Sequence, residues 1–323
     1  MKAPGLHDPF PARPDDPDER PAITQNGGSR LGATTGKGNL SMRGSYGMTI
    51  CCLGDLVLDV IVRLEQPLAT GADATSRIVL RPGGQAANVA AWIAALGGTS
   101  RFVGKRGADD AGVLAASRLL DLGVELVGPV EPEGNGVIVS LVHPSGERTM
   151  CADRGVAPEL RPEEIDEAWF EGCEHLHVSG YALLREPVRF AACRAIEHAR
   201  AAGAPVSVDL SSWSAIRDFG AERFRFLLEE LTPDVVFANE DEERVVGGPI
   251  ARSHWIVKRG PAGASFDGDE REAVPVSGVV DSTGAGDAFA AGWLVGGPDM
   301  ALEAAARCVQ QAGSMPDAGD ARP

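Results

Sequence analysis

From Met48 onward the chain alternates short apolar runs with stretches of helical periodicity, and that alternation leaves few folds open. A strand that is followed by a helix and then another strand returns by a crossover, so the strands lie parallel and the helices cover the sheet. The apolar runs over residues 49–54, 101–104, 175–179, 206–209, 235–238 and 254–258 are read as strands. Amphipathic segments over 85–96, 111–122, 188–202 and 221–231 are read as the helices between them, each ending near a glycine or a turn. Two pieces break the rhythm: 56–64 with 77–81, and 136–142 with 147–152, the latter joined by His143-Pro144-Ser145-Gly146. Both read as hairpins outside the main sheet, with no helices to cover them. They are expected to form a small flap that closes on a ligand or pairs with another subunit. The expected fold class is α/β: a mostly parallel central sheet flanked by helices, with a small β-sheet lid.

The first 47 residues hold 8 Gly and 6 Pro, a higher density of helix and strand breakers than the 40 Gly and 22 Pro of all 323 residues. Residues 1–47 are therefore expected to be a disordered, dispensable extension, 48–315 one domain, and 316–323 a disordered tail. The run Asp15, Asp16, Asp18, Glu19 is wrong for a transit peptide, and the segment lacks the apolar core of a secretory signal. No stretch approaches the roughly 20 apolar residues that a spanning helix needs. Thirty Lys and Arg against 46 Asp and Glu give a net charge of −16, which disfavours general attraction to nucleic acid or anionic lipid. An anionic ligand would need a local device to hold it. Six cysteines without a Cys-x-x-Cys pair suggest no disulfide framework, and a cytoplasmic location is expected.

Such a device stands in Asp281-Ser282-Thr283-Gly284-Ala285-Gly286-Asp287, which runs into the helix-forming Ala288 to Leu294. Two glycines around one alanine let a ligand approach the backbone, and the helix start aims free N–H groups and its positive dipole end at that point. Asp287 stands in the first turn, beside any anion held there, although a first-turn carboxylate also serves simply to complement the dipole. A second glycine pair, Gly83-Gly84, leads into a helix with Asn88 on its first turn, where an amide can meet a hydroxyl-rich ligand or lie on the surface. Gly54-Asp55 through Asp59 marks the end of the first strand, where open α/β sheets bind ligands; Asp55 could equally serve a turn.

Some prominent residues point to nothing specific. The six histidines lack His-x-x-x-His spacing, so a zinc site is not expected. Arg154 suits a structural ion pair as well as a substrate contact. The chain has no Gly-x-x-x-x-Gly-Lys-Ser/Thr loop, no Gly-x-Gly-x-x-Gly after a first strand, and no protein-kinase loops.

These stretches, together with Asn239-Glu240-Asp241-Glu242 and Lys258-Arg259-Gly260-Pro261-Ala262-Gly263-Ala264, occur in the order and spacing of the ribokinase-like carbohydrate kinase family, which the chain resembles from about Thr49 to Gln311. The resemblance implies an ATP-dependent kinase acting on a hydroxyl of a sugar or sugar acid. Asp287 would be the base, and the amides of Gly284, Ala285 and Gly286 would stabilise the transferring phosphoryl group. Asp59, Gly83, Gly84 and Asn88 would hold the sugar. Asn239 would lie near the nucleotide phosphates, Glu242 would act through Mg²⁺ and its waters, and Gly260, Pro261, Ala262, Gly263, Ala264 and Ser265 would line the nucleotide. Asp281 with Thr283 resembles the family's monovalent-cation site, so K⁺ enters as a possible further ion. A homodimer through the lid strands 136–142 and 147–152 is expected, because a two-sided apolar strand such as Val137-Ile138-Val139 would leave a pairing edge exposed. The rival readings are a nucleoside kinase of the adenosine type and a sugar-binding regulator without turnover.

Overall fold

The computed structural model describes residues 49–145 and 147–317. The expected extension over 1–47, the turn residue Gly146 and positions 318–323 of the expected tail lie outside the described residues. The strands are β1 (Thr49–Leu53), β2 (Val57–Leu64), β3 (Ser76–Gly83), β4 (Thr99–Val103), β5 (Arg106–Gly107), β6 (Glu125–Val127), β7 (Val130–Glu131), β8 (Asn135–Val142), β9 (Arg148–Gly155), β10 (Cys173–Ser179), β11 (Val206–Asp209), β12 (Val235–Asn239), β13 (His254–Lys258), β14 (Ala264–Phe266) and β15 (Asp269–Arg271). The helices are α1 (Gln85–Ala95), α2 (Asp110–Asp121), α3 (Val188–Ala201), α4 (Trp213–Phe219), α5 (Ala221–Leu231), α6 (Glu240–Val246) and α7 (Ala285–Cys308).

Nine strands form the main sheet in the order β15-β14-β13-β12-β11-β10-β1-β4-β6. Every pair from β13 to β6 is parallel, and only β14 and β15 add an antiparallel edge. The period of two splits the core. Ile50 and Cys52 of β1 point to a layer built by α1 and α7, whereas Cys51 and Leu53 point to one built by α3 and α5. Alanines make the first layer thin: Ala86, Ala87, Ala90 and Ala91 of α1 and Ala288, Ala290 and Ala291 of α7 are all fully buried. All four expected helices and all six expected central strands are present within two residues of their expected ends.

The two hairpins join into one lid, β3-β2-β8-β9, because β2 and β8 pair in parallel from Val57↔Gly136 to Arg63↔Val142. This corrects one expectation. The apolar strand β8 lies inside the lid with both edges paired, so the lid leaves open an apolar face rather than a β8 edge. Pro316 and Asp317, expected in the tail, are held in place: Arg118 Nη2 donates to Pro316 O at 2.5 Å and Asp317 N to Gln311 Oε1 at 3.2 Å.

Candidate active site

The parallel strands β1, β10, β11, β12 and β13 all end on one edge of the sheet, and their spatial order reverses between β1 and β10. Ligands of open α/β sheets bind at such a reversal. The loops that follow those strands, the starts of α1 and α7 and the base of the lid meet there.

Asp287, in the first turn of α7, accepts a hydrogen bond from Asn88 Nδ2 at 2.7 Å. Burial raises the Asp287 pKa to about 7; the Asn88 bond and Lys258 oppose the rise, and Asp209 and Asp55 add to it. The carboxyl is thus tuned toward neutral pH, where a proton acceptor works best. Asn88 is itself fixed, since Ser314 Oγ donates to its Oδ1 at 3.0 Å. Of the two readings for Asn88, a surface position is excluded because it is buried; one of its N–H groups goes to Asp287 and its Oδ1 accepts from Ser314, which leaves the second N–H for a ligand.

The glycines at the two helix starts are required by close approach. A Cβ on Gly84, whose φ is +102°, would lie 2.3 Å from Asp55 O, and one on Gly83 would lie 2.2 Å from Asp59 Oδ2. Gly284, the N-cap of α7 with φ +80°, would bring a Cβ within 2.6 Å of Ser314. Asp59 is therefore seated against the Gly83 backbone, and its pKa rises to about 7 through burial and the neighbouring Asp55, with Arg154 opposing. Asp55 is occupied internally: it accepts from Gln85 N at 3.2 Å and from Arg154, whose guanidinium lies 3.8 Å over the Tyr181 ring. Of the two readings for Arg154, the structure gives the ion pair.

On the other side of Asp287, Lys258 Nζ bonds Asp209 Oδ2 at 2.6 Å and would lie 3.2 Å from a Cβ on Gly286. Burial works against its charge, but Asp209, Glu242 and Asp287 outweigh that and raise its pKa. Glu242 is buried; burial lifts its pKa to about 6 despite Lys258. Its Oε2 accepts from Asn239 N at 2.8 Å, while Asn239 Oδ1 accepts from the N–H groups of Asp241 and Glu242, a closed capping box at the start of α6. Asn239 and Glu242 thus serve the helix whatever else they do. In the nucleotide segment, Gly260, Pro261 and Ala262 form an exposed turn, whereas Gly263, Ala264 and Ser265 are buried where β14 pairs with β13.

Asp281 and Thr283 are brought together as expected, with Thr283 N and Oγ1 donating to Asp281 Oδ1 at 2.9 and 2.7 Å and Gly313 N to Oδ2 at 3.3 Å. These bonds and Arg148 outweigh burial and hold the Asp281 pKa below its ordinary value. Arg148, from the lid strand β9, donates to Thr283 Oγ1 and stands 3.6 Å from Asp281 Oδ1. A guanidinium thus stands beside the carboxylate at which the resemblance implies a monovalent cation. Among the described residues no group of three or more His, Cys, Asp or Glu side chains could hold a metal by itself. Glu242 as a single carboxylate suits Mg²⁺ only where phosphate oxygens and water complete the shell.

Sequence reading missed Lys258, Asp209 and Ser314 as individual site residues. The first two end parallel strands, and the strand-end rule that brought out Asp55 applies equally to them. Ser314 carries no signal, being one serine in a polar C-terminal stretch.

The model of the pfkB family of carbohydrate kinases matches residues 48–315. An ATP-dependent ribose-1-phosphate kinase of Halopiger xanaduensis is 35% identical over 284 residues, covering 79% of this chain and 88% of its own. A fructokinase of Escherichia coli is 32% identical, covering 76% and 82%. Among solved structures, adenosine kinase from Sinorhizobium meliloti superposes with a TM-score of 0.75 at 23% identity, over 86% of this chain and 98% of its own. A putative ribokinase II from E. coli in complex with ATP and Mg²⁺ gives 0.71 at 23%, over 83% and 94%. The structural likenesses speak to the fold; the family model and the two sequence relatives go further, and on them the chain belongs to the pfkB family of carbohydrate kinases.

Proposed function

We propose that the cleft between the main sheet and the lid moves the γ-phosphoryl group of ATP to a sugar hydroxyl with Asp287 as the base. The observation that carries this assignment of roles is the Asn88–Asp287 pair, which fixes a carboxyl of near-neutral pKa at the amide-bearing start of a helix. The acceptor hydroxyl oxygen forms a bond to the γ-phosphorus as the bond to the β–γ bridging oxygen breaks. Asp287 takes the hydroxyl proton, and ADP leaves. The N–H groups of Gly284, Ala285 and Gly286 face the charge on the transferring group, where fixed dipoles act without reorganising. Lys258, beside Gly286, adds a positive charge to the same place. Asp59 and Asn88, with Gly83 and Gly84 giving the close backbone approach, orient the acceptor. Mg²⁺ carried on the ATP phosphates, with Glu242 reached through water, would neutralise phosphate charge.

The outward face of the lid supports a homodimer. Ile78 and Leu80 of β3 are 59% and 46% exposed, and the partly exposed Val139 and Leu141 lie on β8 of the same sheet. Sedimentation across a range of concentrations tests this, and a persistent monomer would remove it. Among the described residues no helix is long and apolar enough to cross a membrane, and a cytoplasmic enzyme is in keeping with four buried, unpaired cysteines.

ADP release over neutral sugars, sugar phosphates, sugar acids and nucleosides tests the function. Turnover of a sugar or its derivative is expected. Turnover of adenosine alone would favour the nucleoside kinase reading, and binding without turnover the regulator.

A further inference from the structure

Ser211, in the loop between β11 and α4, has a φ of +72°, and the N–H of Ser212 donates to Leu210 O at 2.8 Å. Together these describe a three-residue turn of the strained form, which a residue with a side chain rarely adopts at its centre. Glycine would make the same turn without that cost. Among the described residues Thr232, Arg252 and Asp267 also have positive φ, but they stand at the opposite edge of the main sheet, just before β12 and β13 begin or where β14 ends. Ser211 alone of these stands at the edge where the parallel strands end and the site lies.

The groups around the turn show what a serine does there that a glycine could not. Its hydroxyl has one proton to give and stands between two acceptors, Gln85 Oε1 at the start of α1 and Asp209 O at 3.0 Å, while it accepts from Tyr181 N at 3.3 Å. Gln85 Oε1 accepts from Ser179 Oγ as well, at the end of β10. One side chain thus ties the ends of β10 and β11 to the first residue of α1. The Ser211 N–H turns back onto Asp209 Oδ1 at 3.2 Å, and Lys258 Nζ holds the other oxygen, Oδ2, at 2.6 Å. Asp209 is 1% exposed, so these two bonds set the orientation of its carboxylate. That orientation in turn decides where the Lys258 ammonium ends, beside Gly286 in the first turn of α7.

We infer that Ser211 is a positioning residue for the phosphoryl transfer: it fixes Asp209, and through Asp209 it holds the Lys258 ammonium against the start of α7. The inference rests on the kinase reading and adds to it a residue that acts through its neighbours rather than on ATP or the acceptor. Strain kept in a turn beside a site is repaid by the order it imposes on a charged group. A misplacement of about 1 Å in a charge that meets the transition state lowers turnover more than it lowers binding.

Ser211→Gly deletes the hydroxyl and relieves the turn, and Ser211→Ala deletes the hydroxyl and keeps the crowding. Both are made in the full chain and read by ADP release with the acceptor that the wild type turns over. Each should lose about tenfold or more in kcat, with the KM for ATP and for the acceptor within about twofold of wild type. The glycine variant should melt above the alanine variant, so that turnover and stability part company. A turn that serves the fold alone would give the same order of midpoints with kcat unchanged, and that result would overturn the inference. A rise in either KM with kcat unchanged would overturn it too, since Ser211 would then be a binding residue. In a Lys258→Met background the glycine should cost less than about twofold in kcat. An undiminished loss there would show that Ser211 does not act through Lys258, and would overturn the inference while the kinase reading stands. A wild type that turns over no acceptor would remove the kinase reading and this inference with it.

Discussion

Asn88 Nδ2 donates to Asp287 Oδ2 across 2.7 Å, tying the first turn of α1 to the first turn of α7. Two helix starts that are remote in sequence are thereby held as one unit, and the bond acts on the carboxylate's charge as well as its position. Asn88→Ala should remove one of the influences that hold the Asp287 pKa down. The acidic limb of the kcat/KM profile should move upward by about one pH unit, and activity at pH 7 should fall about fivefold, recovering in part at pH 9. A profile that falls uniformly at all pH values would show that Asn88 acts on the acceptor alone.

Asp287→Asn separates catalysis from stability. Turnover should drop by roughly 10²–10⁴ while ATP still binds, as measured by ADP release and calorimetry. The pKa of Asp287 is raised from 3.8 to about 7 in the folded chain, so the folded state favours the protonated form. Its contribution to stability is present below about pH 4 and is lost as pH rises through 7. The variant escapes that loss. It should melt a few degrees above wild type at pH 8 and close to wild type at pH 4, in paired thermal scans.

Gly84→Ala should cost about 1–3 kcal/mol in denaturant unfolding and impair turnover, because φ is +102° and the new methyl would meet Asp55 O. Gly97→Ala supplies the comparison. It too has positive φ, +86°, but no atom lies near its absent side chain, so only the backbone preference is lost, about 1 kcal/mol.

Lys258→Met leaves the buried carboxylates of Asp209 and Glu242 without their cation. Unfolding should become easier by about 3–5 kcal/mol at pH 8. The deficit should shrink toward pH 5, where Glu242, with a pKa already near 6, takes up a proton. A deficit independent of pH would point to lost packing of the lysine stem instead.

The framework was legible because its signals are local. An apolar run such as Val235 to Ala238 can only be buried on both faces, and a glycine pair before an alanine-rich helix announces a close approach. What stayed hidden depends on partners far apart in the chain. The hairpins around β2 and β8 are visible one by one, but their parallel pairing is a tertiary event with no signature in either strand. Arg148 reads as a flap residue within reach of a substrate, and only the folded lid carries it to Asp281 and Thr283 instead. Asn239 shows the converse: a residue in a recognisable motif whose visible bonds are those of a helix cap.

The parallel seam between β2 and β8 bears on how such an enzyme can diversify. The lid is woven from two excursions of the chain, one made before α1 and one after β7, so no single stretch of sequence contains it. It cannot be exchanged as a cassette. Its inward positions on β2, β3, β8 and β9 can nevertheless change one at a time while the backbone ladder stays intact, since a pleated strand fixes direction and leaves the side chain free to vary. New acceptors can thus be explored by scattered point changes in the lid, while Asp287 and the start of α7, to which we assign the proton acceptor and the phosphoryl-binding amides, stay anchored in the other layer of the molecule.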